Sequence, residues 1–144
     1  ALVDRELYLP KEWAADATRR KRAGVPKPVA FATKLALARK MVERAVAAGL
    51  PAKWVTADAV YGSDHHFRAA LEGLGIGYVL GVRSDFAAWA GGRQVRAKAL
   101  AAEVPAAEWY RRSCGGGAKG PRLYDWALVR TNGPDPDKYR RAVL

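Results

Sequence analysis

One acidic residue stands where open α/β proteins place their chemistry. Asp58 directly follows the short apolar run Trp54–Ala57, and the aromatic-glycine pair Tyr61-Gly62 comes just after it. Ligands and catalytic groups of open α/β sheets lie at the carboxyl ends of buried strands. Asp58 is therefore a candidate for a role in binding or catalysis. Aspartate is also common in turns, so the pattern equally fits a residue that only caps the end of the strand.

A glycine-rich segment, Gly115–Gly120, is the second candidate for chemistry. A phosphate-binding loop needs a Lys followed by Ser or Thr, and then a helix. Here Gly120-Pro121 follows Lys119 and a predicted strand comes next, so we exclude a nucleoside-triphosphate site. The open alternatives are a basic loop that contacts nucleic-acid phosphates and a hairpin that contacts nothing. The candidate phosphate contacts are Arg111, Arg112, Lys119 and Arg122.

The histidines and the cysteine offer no metal or nucleophilic site. His65 and His66 are adjacent, and neighbouring residues project about 100° apart on a helix, so they are poorly placed to share one metal ion. We expect a surface or capping role for both. Cys114, the single cysteine, has no neighbouring His and cannot form an internal disulfide. A reducing, intracellular setting is the default for such a chain.

Charge points to a polyanionic partner. The 144 residues include 25 Lys and Arg against 14 Asp and Glu, which gives a net charge of +11, and half are hydrophobic. Nucleic acid is favoured over a membrane surface because no long uncharged apolar run or amphipathic leader appears. Solubility in an arginine-rich proteome is the alternative. A compact cationic cluster, Arg19-Arg20-Lys21-Arg22, lies in what we predict to be an exposed loop or short helix.

The first part of the chain carries clear strand and helix patterns. Leu2–Leu9 alternates like a strand and is ended by Pro10. Apolar spacing predicts a helix over Phe31–Ala48. Lys53–Ala57 is a predicted strand. Ser63-Asp64 should cap a helix that runs through Gly73, and the strand Tyr78–Val82 should follow. Strand, helix and strand within about thirty residues predict a parallel, right-handed βαβ unit.

After Ser84 the patterns are weaker. A short helix is expected over Ala97–Ala107 and a strand over Leu123–Thr131. Trp54 and Trp126 fall in strand patterns and are predicted to be core residues. The other tryptophans, Trp13, Trp89 and Trp109, lie in irregular segments where burial is favoured over stacking on bases.

Four segments of the chain together resemble bacterial insertion-sequence transposases of the DDE type. They occur in the matching order and span nearly the whole chain. They are Leu2–Pro10 followed by Trp13, Val55–Asp58 with Tyr61-Gly62, Gly75–Leu80, and Lys119–Ala127.

The resemblance implies a fold and a reaction. The fold would be α/β and ribonuclease H-like (RNase H-like), a mixed sheet with flanking helices, present here in part and joined by a basic insertion. Residues 1–84 would belong to the catalytic core and residues 85–144 would begin the insertion. In such enzymes two aspartates and a glutamate hold two Mg²⁺ ions, with Mn²⁺ as a substitute, for DNA cleavage and strand transfer. Asp58 matches the second aspartate, which is both catalytic and a metal ligand.

Two of the three expected carboxylates have no counterpart. The first aspartate would precede Ala1, the glutamate would follow Leu144, and Asp4 and Glu6 lie on the wrong strand. Because the chain also opens on Ala1 inside an apolar run, we expect an internal fragment that is inactive alone. The intact protein would be a homo-oligomer acting on transposon ends and target DNA in the bacterial cytoplasm, at the nucleoid. The alternatives are a non-catalytic basic nucleic-acid-binding α/β domain, and a small α/β domain in which Asp58 merely caps a turn.

Overall fold

The structure is a computed structural model that describes residues 2–132 and 141–143. It is a mixed α/β structure with small sheets, which confirms the α/β class at that level. The chain divides into two compact units, Ala1–Gly81 and Val82–Leu144.

The segment 2–9 of the first unit is not a strand, so the prediction for Leu2–Leu9 is wrong. No described residue pairs with it, and an alternating pattern becomes a strand only when another strand completes its backbone hydrogen bonds. Leu2, Val3 and Leu7 are exposed, whereas Leu9 is buried. The segment is instead tied to a helix through ion pairs, which are described below with the site.

Three helices follow. Helix α1 spans Lys11–Ala15 and helix α2 spans Ala17–Arg22. The cationic cluster lies on α2, so it forms the short helix rather than the exposed loop that was the other predicted form. Helix α3 spans Lys34–Ala47, which confirms the predicted helix with a later start. It begins after Thr33 because the Thr33 hydroxyl caps the first turn by accepting the Ala36 N–H at 3.1 Å.

The centre of the first unit is the predicted parallel βαβ arrangement. Strand β1 (Trp54–Ala57) pairs in parallel with β2 (Gly77–Leu80), with Trp54 opposite Gly77 and Ala57 opposite Leu80. Between the strands lie α4 (Ala59–Gly62) and α5 (His65–Gly73), and Asp64 caps α5 as predicted.

Helix α5 supplies the buried side chains of the first unit, whereas Trp54 does not. Phe67 and Leu71 of α5 are buried. Trp54 is 64% exposed, so its prediction as a core residue is wrong. Its indole lies flat over Gly77, where an added Cβ would come within 2.8 Å of the ring. Trp54 and Thr56 are the exposed positions of β1, so Trp54 lies on the side of the strand that the described residues leave exposed.

The second unit begins with a hairpin that the sequence patterns did not reveal. Strand β3 (Ala87–Ala90) pairs antiparallel with β4 (Arg93–Arg96). Gly91 and Gly92 connect them, both with positive φ (57° and 76°), as a two-residue hairpin turn requires. Helix α6 (Ala97–Glu103) follows and confirms the expected short helix. Ala88, Val95 and Leu100 form the buried cluster of this unit.

The glycine-rich segment is part of a second, longer hairpin, so of the two forms left open by the sequence the hairpin is found. Strands β5 (Tyr110–Gly117) and β6 (Gly120–Trp126) pair antiparallel, so only Ala118-Lys119 is left as a turn. The predicted strand Leu123–Thr131 is interrupted after Trp126, and β7 (Val129–Thr131) pairs instead with β8 (Arg141–Val143). Every residue of β5 is exposed, and Trp126 is half-buried rather than fully in the core.

Candidate functional site

Asp58 lies at the carboxyl end of β1 and is also the N-cap of α4. Its Oδ1 accepts the backbone N–H of Val60 at 2.9 Å. Its backbone oxygen accepts the N–H groups of Tyr61 and Gly62, at 3.1 and 3.0 Å. The side chain is exposed. Asp58 therefore caps a turn, and the second carboxylate oxygen accepts no hydrogen bond from the described residues.

Two glycines set the turn that carries Asp58. The Gly81 N–H donates to the Ala57 oxygen at 2.8 Å and extends the β1–β2 ladder by one bond. A Cβ on Gly62 would lie 1.9 Å from the Gly81 oxygen. A Cβ on Gly81 would lie 3.2 Å from the Asp58 carbonyl carbon. The backbones after the two strands are thus in direct contact. Sequence reasoning assigned no role to Gly81, although a glycine directly after a strand was a usable signal.

Asp58 is not part of a larger cluster of potential metal ligands among the described residues. Mg²⁺ requires near-octahedral oxygen coordination and is held in proteins through one or two carboxylates plus waters and substrate phosphates. Among the residues that the structure describes, no group of three His, Cys, Asp or Glu side chains could hold a metal ion. Asp58 offers one carboxylate, half of it engaged with Val60. His65 and His66 are exposed with their rings 3.8 Å apart, as expected for surface residues.

Asp4 and Glu6 are engaged elsewhere in the first unit. Arg44 of α3 donates from Nε and Nη2 to Asp4 Oδ2, at 3.0 and 2.7 Å, and from Nη1 to Glu6 Oε1. Lys40 Nζ lies 3.6 Å from the same Glu6 oxygen. The hydrogen bonds from Arg44 lower the pKa of Asp4 and of Glu6. These two carboxylates fasten the segment 2–9 to α3.

The first cationic cluster, Arg19–Arg22, is brought together on α2, but its members differ in environment. The Arg19 guanidinium lies over the Trp13 ring, 3.8 Å from the ring centroid. Arg20 is half-buried and donates to backbone carbonyls of the surrounding chain. Lys21 and Arg22 are exposed, and their side chains form no hydrogen bond or ion pair with any described residue.

The second cationic set lies on the β5–β6 hairpin. Arg111 forms a bidentate pair with Asp125, at 2.8 and 2.9 Å, which raises the pKa of Arg111 and lowers that of Asp125. Arg122 donates to the Cys114 carbonyl at 3.1 Å. Arg112 lies 5.9 Å from the Tyr110 ring, and Lys119 stands in the turn. Because strand residues alternate, Arg111 and Arg112 are on opposite faces of the hairpin.

Comparison with known proteins places these residues in a family context. The family model described as DDE superfamily endonuclease matches residues 1–113. The match includes Asp58, the cluster on α2, Arg111 and Arg112, whereas Lys119 and Arg122 follow it. No curated protein and no solved structure matches the chain. Within residues 2–132 and 141–143, no helix is long and apolar enough to cross a membrane.

Proposed function

Since the chain belongs to the DDE superfamily endonuclease family, we propose that it is part of a transposase that cleaves DNA phosphodiester bonds and joins transposon ends to target DNA. The observation that carries this proposal is the position of Asp58. Its accessible carboxylate follows a strand of a parallel pair, inside the region that the family matches.

Residues 1–84, which include the whole first unit, are proposed to be part of an RNase H-like catalytic core, and residues 85–144 to be the start of an insertion. The parallel β1–β2 pair with two intervening helices supports the core assignment. The exposed β5–β6 hairpin with its four cations supports the insertion.

Asp58 is proposed to be one ligand of a divalent-metal site, for Mg²⁺ or Mn²⁺. When bound, such ions activate a hydroxyl nucleophile and stabilise the leaving oxygen of a phosphodiester. One carboxylate does not make that site, so the remaining ligands are proposed to come from outside this chain. We accordingly expect the 144-residue chain alone to be inactive.

DNA is the proposed partner of both cationic sets: Arg19, Arg20, Lys21 and Arg22 on α2, and Arg111, Arg112, Lys119 and Arg122 on the hairpin. Long cations on short exposed elements suit phosphate contact rather than base reading. The intact protein is proposed to act as a homo-oligomer at the bacterial nucleoid.

A non-catalytic, basic nucleic-acid-binding domain is the second candidate. It is favoured by one observation, the hydrogen bond from the Val60 N–H to Asp58 Oδ1, which is the bond of an ordinary helix N-cap. Under this alternative Asp58 only caps α4, and substituting it changes no activity.

Substituting Asp58 in the full-length protein separates the two candidates. Asp58→Asn should abolish Mg²⁺-dependent nicking of DNA that carries transposon ends while leaving the fold intact, because asparagine is an equally good N-cap. Asp64→Asn is the matched control, since Asp64 caps α5 by the same kind of bond, at 2.7 Å to the Phe67 N–H. Asp64→Asn should retain activity.

The same assay tests the rest of the proposal. Full-length Asp58→Asn protein that still nicks DNA would remove Asp58 from the metal site and favour the binding domain. Nicking by a contaminant-free preparation of the 144-residue chain, lost on Asp58→Asn substitution, would show that the ligands outside the chain are not needed.

A further inference from the structure

Arg20 ties together the segment that surrounds the cationic cluster. Its Nη2 donates to the Val29 carbonyl at 2.6 Å and approaches those of Pro26 and Lys27 at 3.4 Å. Its Nη1 donates to the Ala14 carbonyl at 3.3 Å. One guanidinium therefore bridges the end of α1 and the turn over residues 26–29. We call residues 11–29 the α2 lobe.

The α2 lobe needs such a tie because its helices are very short. Helices of five and six residues are unstable in water unless tertiary contacts hold them. Both ends of α2 are capped. Asp16 accepts the Arg19 N–H at 2.8 Å. At the other end, the N–H groups of Gly24 and Val25 donate to the carbonyls of Lys21 and Arg20. The side-chain bonds from Arg20 connect this capped helix to the chain on both sides, to Ala14 before it and to Val29 after it.

The charges of the cluster are consequently divided between two tasks. The Arg19 guanidinium rests on Trp13 and that of Arg20 on backbone carbonyls. Lys21 and Arg22 remain exposed in the last turn of α2, and their side chains form no hydrogen bond or ion pair with any described residue. Cations are stable at this end of a helix because the helix dipole is negative there.

We propose that the α2 lobe is a preorganised contact surface for the phosphate backbone of duplex DNA, in which Lys21 and Arg22 bind phosphates and Arg20 is a positioning residue. This inference rests on the proposed function, which names DNA as the partner. This narrows the proposed role of Arg20 within the first cationic set. Arg20 supports phosphate contact without making one, because turning outward would leave the half-buried Val29 carbonyl without its donor.

Charge-conserving substitutions distinguish positioning from contact. Lysine keeps the charge of arginine but has a single ammonium group in place of the planar fork, so it cannot bridge the carbonyls of Ala14 and Val29. Binding of the 144-residue chain to a duplex of about 20 base pairs would be measured from low to moderate salt. The variants are Arg20→Lys, Arg20→Gln, Arg22→Lys and Arg22→Gln.

Opposite patterns are expected at the two positions. Arg22→Lys should bind like the wild type, and Arg22→Gln should reduce the log–log salt slope by about 0.9, the loss of one phosphate contact. Arg20→Lys should weaken binding nearly as much as Arg20→Gln, by about tenfold, because the contacts of both Lys21 and Arg22 are misplaced. If Arg20→Lys binds like the wild type, Arg20 is not a positioning residue and the proposal is overturned.

Limited trypsin digestion reports on the lobe without DNA. Arg20→Lys should speed cleavage after Lys21 and Arg22, whereas Arg22→Lys should not, and circular dichroism should show the remainder folded in both. Faster cleavage with unchanged DNA affinity would reduce Arg20 to a purely structural residue and overturn the positioning role. In a third outcome, the wild-type chain binds no duplex while the difference in cleavage rate between the variants persists. That result would contradict the proposal that DNA is the partner, and with it the proposal that the α2 lobe contacts phosphates.

Discussion

Two glycines help to position Asp58, in addition to its own hydrogen bonds. The single bond from Val60 fixes one carboxylate oxygen, but the course of the turn is set where the backbone of Gly62 meets that of Gly81. A side chain at either position would push the end of β2 away from the start of α4. The accessible carboxylate at the strand end therefore depends on the absence of a side chain at these two positions.

Replacing Gly62 by alanine tests this dependence. The new Cβ would lie 1.9 Å from the backbone oxygen of Gly81, and a backbone atom cannot move aside as a flexible side chain can. Gly62→Ala should lower the free energy of unfolding by about 3 kcal/mol, measured by urea denaturation. Gly73→Ala is the control, because a Cβ added to Gly73 at the end of α5 would meet nothing within 4 Å. It should be neutral or stabilise by up to about 1 kcal/mol. Equal stability of the two variants would contradict the close contact.

At the scale of elements, the signals that succeeded are local ones. The parallel pairing of β1 and β2 was predicted because a strand, a helix and a strand follow one another closely in the sequence. The start of α5 was predicted because Asp64 is a good N-cap. The hairpin β3–β4 was not predicted, although Gly91-Gly92 is an equally local signal for its turn, because the patterns of its two strands are weak. Such features depend on a few neighbouring residues, so the sequence alone can specify them.

The predictions that failed concern features that depend on distant parts of the chain, such as a partner strand or a covering layer. Leu2–Leu9 alternates correctly, but a strand also needs a partner, and no described residue provides one. Trp54 is a large apolar side chain in a strand pattern, as is typical of a core residue. Whether it is buried depends on whether a second layer covers its face of β1, and Trp54 is exposed. The candidate site shows the same difference between local and distant features. The sequence predicted the position of Asp58 after a strand. It did not predict which carbonyls bind Arg20 or which carboxylate pairs with Arg111.

The ion pairs of Arg44 give the attachment of residues 2–9 to α3 a pH dependence. The pKa values of Asp4 and Glu6 are lowered below their ordinary values of 3.8 and 4.5, so the folded state favours the ionised carboxylates. Their contribution to stability is complete above those ordinary values and is lost as the pH falls through the lowered ones. Because the side chains are partly exposed, solvent reduces the effect.

Arg44→Met should therefore lower the melting temperature at about pH 6 by a few degrees and lower it by less at about pH 3. The control is Arg39→Met, which breaks an exposed pair with Glu43 on the same helix and should leave both melting temperatures close to the wild-type values. A loss for Arg44→Met that is as large at the acidic pH as near neutrality would show that the arginine acts through packing, and not through these carboxylates.

For the whole molecule, the net charge of +11 is the property that most constrains the partner. Each compact unit contains one of the proposed cationic sets, α2 in the first and the β5–β6 hairpin in the second. Phosphate contacts by such sets are independent of base sequence and release counterions, so their effects on the salt dependence of binding should add.

Neutralising the two sets separately and together tests whether both engage the same DNA. Lys21→Gln with Arg22→Gln should reduce the log–log salt slope by about 1.8, and Arg112→Gln with Lys119→Gln by a similar amount. In the variant with all four substitutions the slope should fall by about twice as much, and binding to duplexes of different sequence should weaken equally. The control is Arg39→Gln with Glu43→Gln, which removes an exposed ion pair without changing the net charge and should leave the slope unchanged.

A slope that is unchanged in the fourfold variant would mean that neither set contacts phosphate, and would favour solubility as the role of this charge. Loss of binding to one duplex sequence alone would instead point to base-specific contacts by one of the sets.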